Sequence, residues 1–202
     1  MGRIVVNTNV TLDGVMQAPA GPDEDPRGGF EHGGWATPYF DRVMAEQAGQ
    51  GIAQGAAFLF GRRTYEHFAS VWPNQPDDDV FAKVLNGRMK YVASRTLAEP
   101  LVWRNSTLLK GDAAEAVAGL KLQQDKDLVI LGSGELIRSL MPHGLIDEFR
   151  LLIHPLVLGS GRRLFTDDGT FSTLRLVDTI TTTTGVVIAT YAPGEPPTPR
   201  PA

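Results

Sequence analysis

A glycine turn after an apolar run is the feature of this sequence with the clearest chemical potential. Residues 128–131 are apolar, Gly132-Ser133-Gly134 follow, and a short helical pattern then runs to its stop at Pro142. In a strand–turn–helix segment of this kind, free backbone N–H groups and the positive end of the helix dipole point at one place. Glycines let a ligand lie directly on the backbone because no Cβ blocks it. The segment predicts an anion site, and a tight turn without a ligand is the alternative.

The glycine turn matches neither of two common nucleotide-binding motifs. It lacks the third glycine of a dinucleotide-binding Rossmann fingerprint, and no Lys-Ser or Lys-Thr pair follows as in a P-loop. The prediction of an anion site therefore depends on the segments that accompany the turn.

Two further segments place small or basic polar residues where a strand pattern ends. Gly61-Arg62-Arg63-Thr64 follows the apolar run 56–60, and Ser94-Arg95-Thr96 closes the strand pattern of 90–94. Because the carboxyl ends of neighbouring parallel strands line one edge of a sheet, we expect the three segments to meet there. Guanidinium groups suit phosphate, so this arrangement favours NADPH over NADH. Taken singly, each arginine could also be a solvated surface charge.

Composition excludes several classes of function. The chain has 202 residues, 42% hydrophobic and 21% charged, with a formal net charge of -4 and no cysteine. The acidic balance argues against a broad nucleic-acid surface, and no apolar run approaches the ~20 residues of a membrane span. Without cysteine there is no disulfide or thiol chemistry, and the four histidines lack the spacing of a metal site. No secretory signal is recognisable, so we expect a cytoplasmic protein.

The spacing of apolar residues predicts an α/β fold. Strand patterns cover 3–9, 56–60, 90–94 and 148–158, helical patterns cover 38–53, 64–71, 80–85 and 112–123, and 174–180 with 186–191 form a hairpin. Alternating strands and helices predict a mainly parallel central sheet with flanking helices, to which the C-terminal hairpin adds antiparallel edge strands. We expect one domain over 1–192 and a disordered tail over 193–202, which holds five prolines.

The region before the first helix contains the candidate substrate and acid–base residues. Residues 17–34 are rich in glycine, proline and acid, which indicates a functional lid or a disordered insertion. Trp35 ends this loop and is the tryptophan that we expect at the mouth of a substrate site. Asp41 shares a helical stripe with Met44 and Ala48, and an acid on a buried stripe has a raised pKa and can deliver a proton. Alternatively, Asp41 only complements the helix dipole.

Four segments together resemble the dihydrofolate reductase superfold. They are TLDGVMQ at 11–17, GRRTYE at 61–66, YVASRTL at 91–97 and the long block ILGSGELIRSLMPHGLIDEFRLLIHPLVLGSGRRLF at 130–165. The sequence resembles more closely the reductase domain of the bifunctional riboflavin-biosynthesis deaminase/reductase and its stand-alone bacterial relatives, over nearly all of 3–191. The resemblance implies a dihydrofolate-reductase-like sheet, NADPH as hydride donor and often a homodimer. We expect no deaminase half in this sequence, since the zinc motif of that half requires cysteine.

The same resemblance implies roles for individual residues. Gly61, Arg62, Arg63 and Thr64, together with Ser94, Arg95 and Thr96, would bind the adenosine 2′-phosphate and the diphosphate of NADPH. Gly132, Ser133, Gly134, Glu135, Leu136 and Ile137 would cradle the diphosphate and ribose, and Asp13 and Gly14 would lie near the nicotinamide. Asp41 follows Trp35 at about the spacing that separates the lid tryptophan from the helix acid in dihydrofolate reductases.

We therefore expect a reductase that passes a hydride from NADPH to a C=N or C=O group of a ribosylamino-pyrimidine-like or related heterocyclic substrate. One alternative is a dihydrofolate or pterin reductase, in which Asp41→Asn abolishes turnover and leaves NADPH binding intact. Another is a non-catalytic protein that binds NADPH and transfers no hydride. The segment 159–163, GSGRR, could bind a substrate phosphate, although a turn with two exposed arginines is favoured.

Overall fold

An eight-stranded sheet forms the centre of the protein, whose computed structural model describes residues 1–54, 57–76, 78–166 and 171–195. The strands are β1 (Ile4–Thr11), β2 (Ala57–Gly61), β3 (Met89–Ala93), β4 (Ser106–Leu109), β5 (Leu128–Leu131), β6 (Glu148–His154), β7 (Leu174–Thr181) and β8 (Val187–Pro193). Their order is β4-β3-β2-β5-β1-β6-β8-β7, and only the pairs that β8 makes with β6 and β7 are antiparallel. The predicted α/β fold and C-terminal hairpin are confirmed. The short strand β4 was not predicted, and the predicted disordered tail lies largely outside the described residues.

Five α-helices in the described ranges flank the sheet. They are α1 (Arg42–Gln54), α2 (Arg62–Val71), α3 (Val80–Gly87), α4 (Ala113–Gln123) and α5 (Gly134–Leu140). Side chains cap the N-termini of two of them: the Asp79 carboxylate accepts the Ala82 N–H, and the Asp112 carboxylate accepts two N–H groups of α4. The predicted start of α1 at Pro38 is wrong: residues 37–39 form a single 3₁₀ turn. None of the helices in the described ranges is long and apolar enough to cross a membrane.

Apolar side chains cover both faces of the sheet, because neighbouring residues of a strand point to opposite faces. On one face, Val6 and Ile130 pack with residues of α4 and α5 such as Val117 and Ile137. On the other face, a second buried cluster contains Phe58, Phe60, Tyr65, Leu85, Val92, Trp103 and Val129. The sheet is thus fixed from both sides, and its strand ends hold defined positions.

The three segments with candidate binding residues follow neighbouring strands of this sheet. β2 lies between β3 and β5, so the turns after Gly61, Ala93 and Leu131 emerge side by side at the carboxyl edge. Gly61 and Ala93 are paired in the register of β2 and β3. The parallel order of the strands is therefore what brings residues from three distant parts of the sequence to one edge.

Candidate functional site

A cleft of about 1530 Å³ opens along the carboxyl edge of the sheet. Its lining includes every residue of the three predicted segments except Ile137: Gly61, Arg62, Arg63, Thr64, Ser94, Arg95, Thr96, Gly132, Ser133, Gly134, Glu135 and Leu136. Ile137 is fully buried in the core below them. The structure therefore brings these twelve predicted residues together in one cavity, which also extends to β1 and α1.

Hydrogen bonds join the glycine turn to the start of α2. The Gly61 N–H donates to Ser133 Oγ at 3.1 Å, and the Ser133 N–H donates to Thr64 Oγ1 at 3.2 Å. Gly132 and Ser133 both adopt the left-handed backbone region, with φ of 59° and 56°. A Cβ on Gly134 would lie 2.5 Å from Met16 Sδ, so glycine permits the close approach of Met16 to the turn. Hydrogen bonds and close packing therefore hold the glycine turn in the wall of the cleft.

Three of the arginines that line the described cleft come from the predicted segments: Arg62, Arg63 and Arg95. Arg62 pairs with Glu66 on α2 at 2.9 Å, and Arg63 Nη1 lies 2.6 Å from Glu135 Oε1. Arg95 is exposed and makes no ion pair with the described part of the chain. Exposed ion pairs of this kind contribute little to stability, so an anion can recruit Arg62 and Arg63 at small cost.

The loop that carries Arg95 is held by a side-chain turn. Ser94 Oγ accepts hydrogen bonds from the N–H groups of Thr96 and Leu97, at 3.1 and 3.0 Å. This arrangement fixes the backbone immediately after β3 and points the loop along the edge of the cleft. The hydroxyls of Ser94 and Thr96 add donors beside the guanidinium group.

Asp13 and Gly14 lie in the turn after β1, outside the lining of the cleft. The Asp13 carboxylate accepts hydrogen bonds from Thr11 Oγ1 at 2.6 Å and from the N–H groups of Leu158 and Gly159. These bonds, that of Thr11 first, hold the pKa of Asp13 below its ordinary value. In the described structure Asp13 thus connects the turn after β1 to the segment after β6.

Trp35 is buried instead of lining the cleft. Its indole N–H donates to the Gln17 carbonyl at 2.7 Å, and its ring packs edge-on against His154. The next two residues, Ala36 and Thr37, do line the cleft. Trp35 therefore packs behind the residues that line the cavity and does not line it.

The structure places Asp41 at the start of α1, where it joins this helix to the C-terminal hairpin. Its carboxylate accepts the Met44 N–H at 2.9 Å, and the Thr183 N–H and hydroxyl at 2.8 and 2.6 Å. The Thr183 hydroxyl is the largest cause that holds the pKa of Asp41 below its ordinary value. The predicted rise of this pKa is wrong, because the stripe of apolar neighbours does not enclose the carboxylate. Asp41 is also absent from the cleft lining.

The loop over residues 17–34 is folded onto the cleft in the described structure. The buried Gln17 amide donates to the carbonyls of Asp25 and Arg27, both at 2.9 Å, and accepts the Arg162 N–H. Asp25, Arg27 and Arg162 line the cavity. Arg163 instead anchors the turn at 159–163, since its Nε donates to the Asp13 carbonyl at 2.8 Å. The predicted turn therefore presents one of its two arginines to the cleft.

The half of the cleft beyond the glycine turn contains residues that the sequence analysis missed. Asn7 and Asn9 project from β1, and Met44, Ala48 and Leu152 supply apolar lining from α1 and β6. A signal for the two asparagines was present, since they interrupt the otherwise apolar strand IVVNTNVT. Polar residues at the centre of a parallel sheet need a partner, and a ligand is one.

Comparison with known proteins agrees with this geometry. A family model described as the RibD C-terminal domain matches residues 3–188. The uncharacterized protein YyaP of Bacillus subtilis (strain 168) is 31% identical over 196 residues, which cover 94% of each chain.

Solved structures support the fold. A pyrimidine reductase-like protein from Corynebacterium diphtheriae has a TM-score of 0.66 at 13% identity, over 96% of this chain and 93% of that one. Dihydrofolate reductase from Enterococcus faecalis, solved in complex with NADP(H) and RAB-propyl, has a TM-score of 0.60 at 12% identity, over 96% and 98% of the two chains. Both likenesses indicate the dihydrofolate-reductase-like architecture.

Proposed function

This chain belongs to the RibD C-terminal domain family, and on that premise we propose that it is an NADPH-dependent reductase. The substrate class that the proposal names is a ribosylamino-pyrimidine-like or related heterocyclic compound with a C=N or C=O group. The observation that carries the proposal is the convergence of the glycine turn and three arginines, from three separate segments, on one cleft.

The donors along the cleft fit a phosphorylated dinucleotide. Arg62, Arg63 and Arg95 offer guanidinium forks, which bind phosphate oxygens in pairs. The hydroxyls of the three segments and the open backbone at the glycine turn add neutral donors. Such a set would hold the 2′-phosphate and the diphosphate of NADPH while the nicotinamide extends toward β1.

When bound, NADPH supplies a hydride to the carbon of the substrate C=N or C=O group. The residues of the chain would bind and orient the two reactants, and such positioning accounts for much of the rate gain in hydride transfer. The apolar wall formed by Met44, Ala48 and Leu152 would exclude water beside the reacting carbon. The nitrogen or oxygen of the reduced group takes its proton from solvent at the open side of the cleft.

A thermal-shift titration with NADPH and NADH side by side tests the cofactor. NADPH at about 100 times its dissociation constant should stabilise the fold by about 2.7 kcal/mol. NADH should give a much smaller shift, since it lacks the 2′-phosphate. Arg95→Ala should weaken NADPH binding by roughly tenfold to a hundredfold, because a hydrogen bond to a charged group contributes about 1.5–3 kcal/mol.

Arg42→Ala is the matched control for this titration. Arg42 is 89% exposed, pairs with Glu46 on α1 and lies outside the cleft, so its loss removes the same charge without touching the site. If both variants weaken NADPH binding equally, the effect of Arg95→Ala reflects a general loss of positive charge and not a contact with the nucleotide. A wild-type protein that responds to neither nucleotide would contradict the proposed cofactor.

Asp41→Asn should lower the melting temperature and leave turnover of the reductase largely unchanged. The variant weakens the link between α1 and the hairpin at Thr183, but the residue lies outside the cleft. Steady-state turnover and NADPH binding, measured on the folded variant, check this expectation. Abolished turnover with intact NADPH binding would instead support the dihydrofolate reductase alternative. Binding of NADPH without hydride transfer to any acceptor would support the alternative of a non-catalytic NADPH-binding protein.

A further inference from the structure

Asn9 and His154 form a hydrogen-bonded pair at the half of the cleft beyond the glycine turn. Asn9 is on β1 and lines the cavity, whereas His154 ends the adjacent strand β6 and is fully buried. His154 Nε2 lies 2.9 Å from Asn9 Oδ1. The imidazole is packed edge-on between the rings of Trp35 and Tyr39, at centroid distances of 5.1 and 5.5 Å. The ring is therefore locked in place and can fix the asparagine amide.

The surroundings of the imidazole determine which nitrogen carries its proton. His154 Nδ1 is buried and has no hydrogen-bond partner in the described structure. Burial lowers the pKa of His154 to about 4, so the ring is neutral at pH 7 and carries one N–H. A proton on Nδ1 would be a buried donor without an acceptor, which is costly and rare. A proton on Nε2 is satisfied by Asn9 Oδ1.

This tautomer sets the direction of the Asn9 amide. With Oδ1 held by the imidazole, Nδ2 is the amide group left for the cleft, and it makes no hydrogen bond to the described residues. The apolar lining from Met44 and Leu152 lies in the same half of the cavity. Asn9 thus offers a neutral, oriented donor to a ligand in this half.

Each acid in the lining of the described cleft has a partner in this structure. Five carboxylates line the described cavity: Glu24 accepts backbone N–H groups, Asp112 caps α4, and Asp25, Glu66 and Glu135 pair with arginines. An ionised carboxylate that is paired or capping is a poor proton donor. The Asn9 amide is a neutral donor that can polarise the acceptor without a change in its own protonation.

We propose that Asn9 donates a hydrogen bond from Nδ2 to the nitrogen or oxygen of the C=N or C=O group that receives the hydride, and that His154 is the positioning residue that holds this amide. The inference rests on the proposed reductase function. As the carbon gains hydrogen with two electrons, the π bond breaks and negative charge develops on the heteroatom, which is then protonated by water. Bound NADPH would supply these two electrons with the hydrogen and would be oxidised to NADP⁺. A donor aimed at that heteroatom lowers the barrier because it stabilises the charge where it develops.

The tautomer of His154 can be measured without any substrate. Long-range ¹H–¹⁵N correlation spectra of histidine-labelled protein at pH 7, with His154→Gln for assignment, report which ring nitrogen is protonated. We expect Nε2 to carry the proton. Protonation of Nδ1 would turn the Asn9 carbonyl oxygen toward the cleft and overturn the proposal.

Turnover of matched variants tests the role of the amide in catalysis. The acceptor is whichever of 5-amino-6-(5-phosphoribosylamino)uracil, a cyclic imine and dihydrofolate the wild-type protein reduces fastest. Asn9→Asp keeps an acceptor for the imidazole and loses the donor, so kcat should fall about a hundredfold while the thermal shift with NADPH is retained. His154→Phe keeps the ring packing and should show the same loss. His154→Gln restores an N–H donor toward Asn9 and should recover most of kcat.

The outcomes separate this inference from the function on which it rests. Wild-type turnover with an equally active Asn9→Asp variant would overturn the role of Asn9 and leave the reductase function standing. Loss of NADPH binding in Asn9→Asp would make the residue part of cofactor binding, which also contradicts the proposal. If the wild-type protein reduces no acceptor, the reductase function fails, and the NMR measurement still decides the orientation of the Asn9 amide.

Discussion

Trp103→Ala is expected to lower the free energy of unfolding by about 3–5 kcal/mol, the usual range for removing a buried aromatic side chain. Trp103 is only 2% exposed and lies at the centre of the cluster that covers one face of the sheet. Its ring stacks on Phe60 of β2 and tilts against Tyr65 of α2, at centroid distances of 6.3 and 6.1 Å. The substitution leaves a cavity between the sheet and the helix that carries Arg62 and Arg63.

Polar contacts of Trp103 add to this loss. The indole N–H donates to Asn86 Oδ1 at 2.7 Å, and the fully buried Lys90 ammonium lies 4.4 Å from the ring centroid. Lys90 Nζ also donates to the carbonyls of Leu85 and Arg88, although burial lowers its pKa to about 8. Removing the ring takes away the aromatic partner of this charge, which contributes about 2 kcal/mol when desolvated.

Equilibrium urea denaturation at pH 7 measures the effect, and Trp103→Phe is the control. Phenylalanine keeps an aromatic face over Lys90 and loses the hydrogen bond to Asn86, so we expect a smaller loss for it than for alanine. The Trp103→Ala variant should also show a smaller thermal shift with NADPH, since α2 loses part of its support. Equal stability of the alanine variant and the wild-type protein would mean that the cluster does not fix α2.

The local pattern of apolar residues was sufficient to predict most of the strands and helices. The elements that it missed or misplaced depend on tertiary contacts. The alternation of apolar residues predicted the hairpin of β7 and β8, and the helical pattern over 112–123 predicted α4. β4 was missed because its four residues STLL carry no periodic signal, and only pairing with β3 makes them a strand. Thr37-Pro38 has the composition of a helix start, yet α1 begins at Arg42, because Asp41 caps it while bound to Thr183.

The candidate site also combines features that the local sequence predicts with features that only tertiary contacts reveal. The turn at Gly132 and the arginine segments are local features at strand ends, and parallel pairing was enough to expect them at one edge. The pKa of Asp41 depends on a hydroxyl 142 positions away, which no helical stripe reveals. The pair of Asn9 and His154 spans 145 positions, so the role of either residue becomes visible only when β1 and β6 lie side by side.

Acidification from pH 7 to pH 4 is expected to destabilise the protein by about 3 kcal/mol through His154 alone, since one pKa unit corresponds to about 1.4 kcal/mol. Burial lowers the pKa of His154 from 6.5 to about 4 in the folded protein. Between these values the unfolded chain binds the proton and the folded protein does not, so stability falls as the pH falls from 6.5 to 4. Above pH 6.5 both states are neutral at this residue, and its contribution is constant.

The pH window makes this effect separable from that of the carboxylates. Because the pKa values of Asp13, Asp25 and Asp41 are lowered, the stability that these carboxylates contribute is lost mainly below their ordinary pKa of 3.8. Urea denaturation at intervals from pH 7 to pH 4 should therefore show a slope that His154→Gln removes, since glutamine does not titrate. An unchanged slope in that variant would assign the acid sensitivity to other groups. It would also mean that the imidazole is not confined as its contacts with Trp35 and Tyr39 indicate, and the argument for an oriented Asn9 would lose its basis.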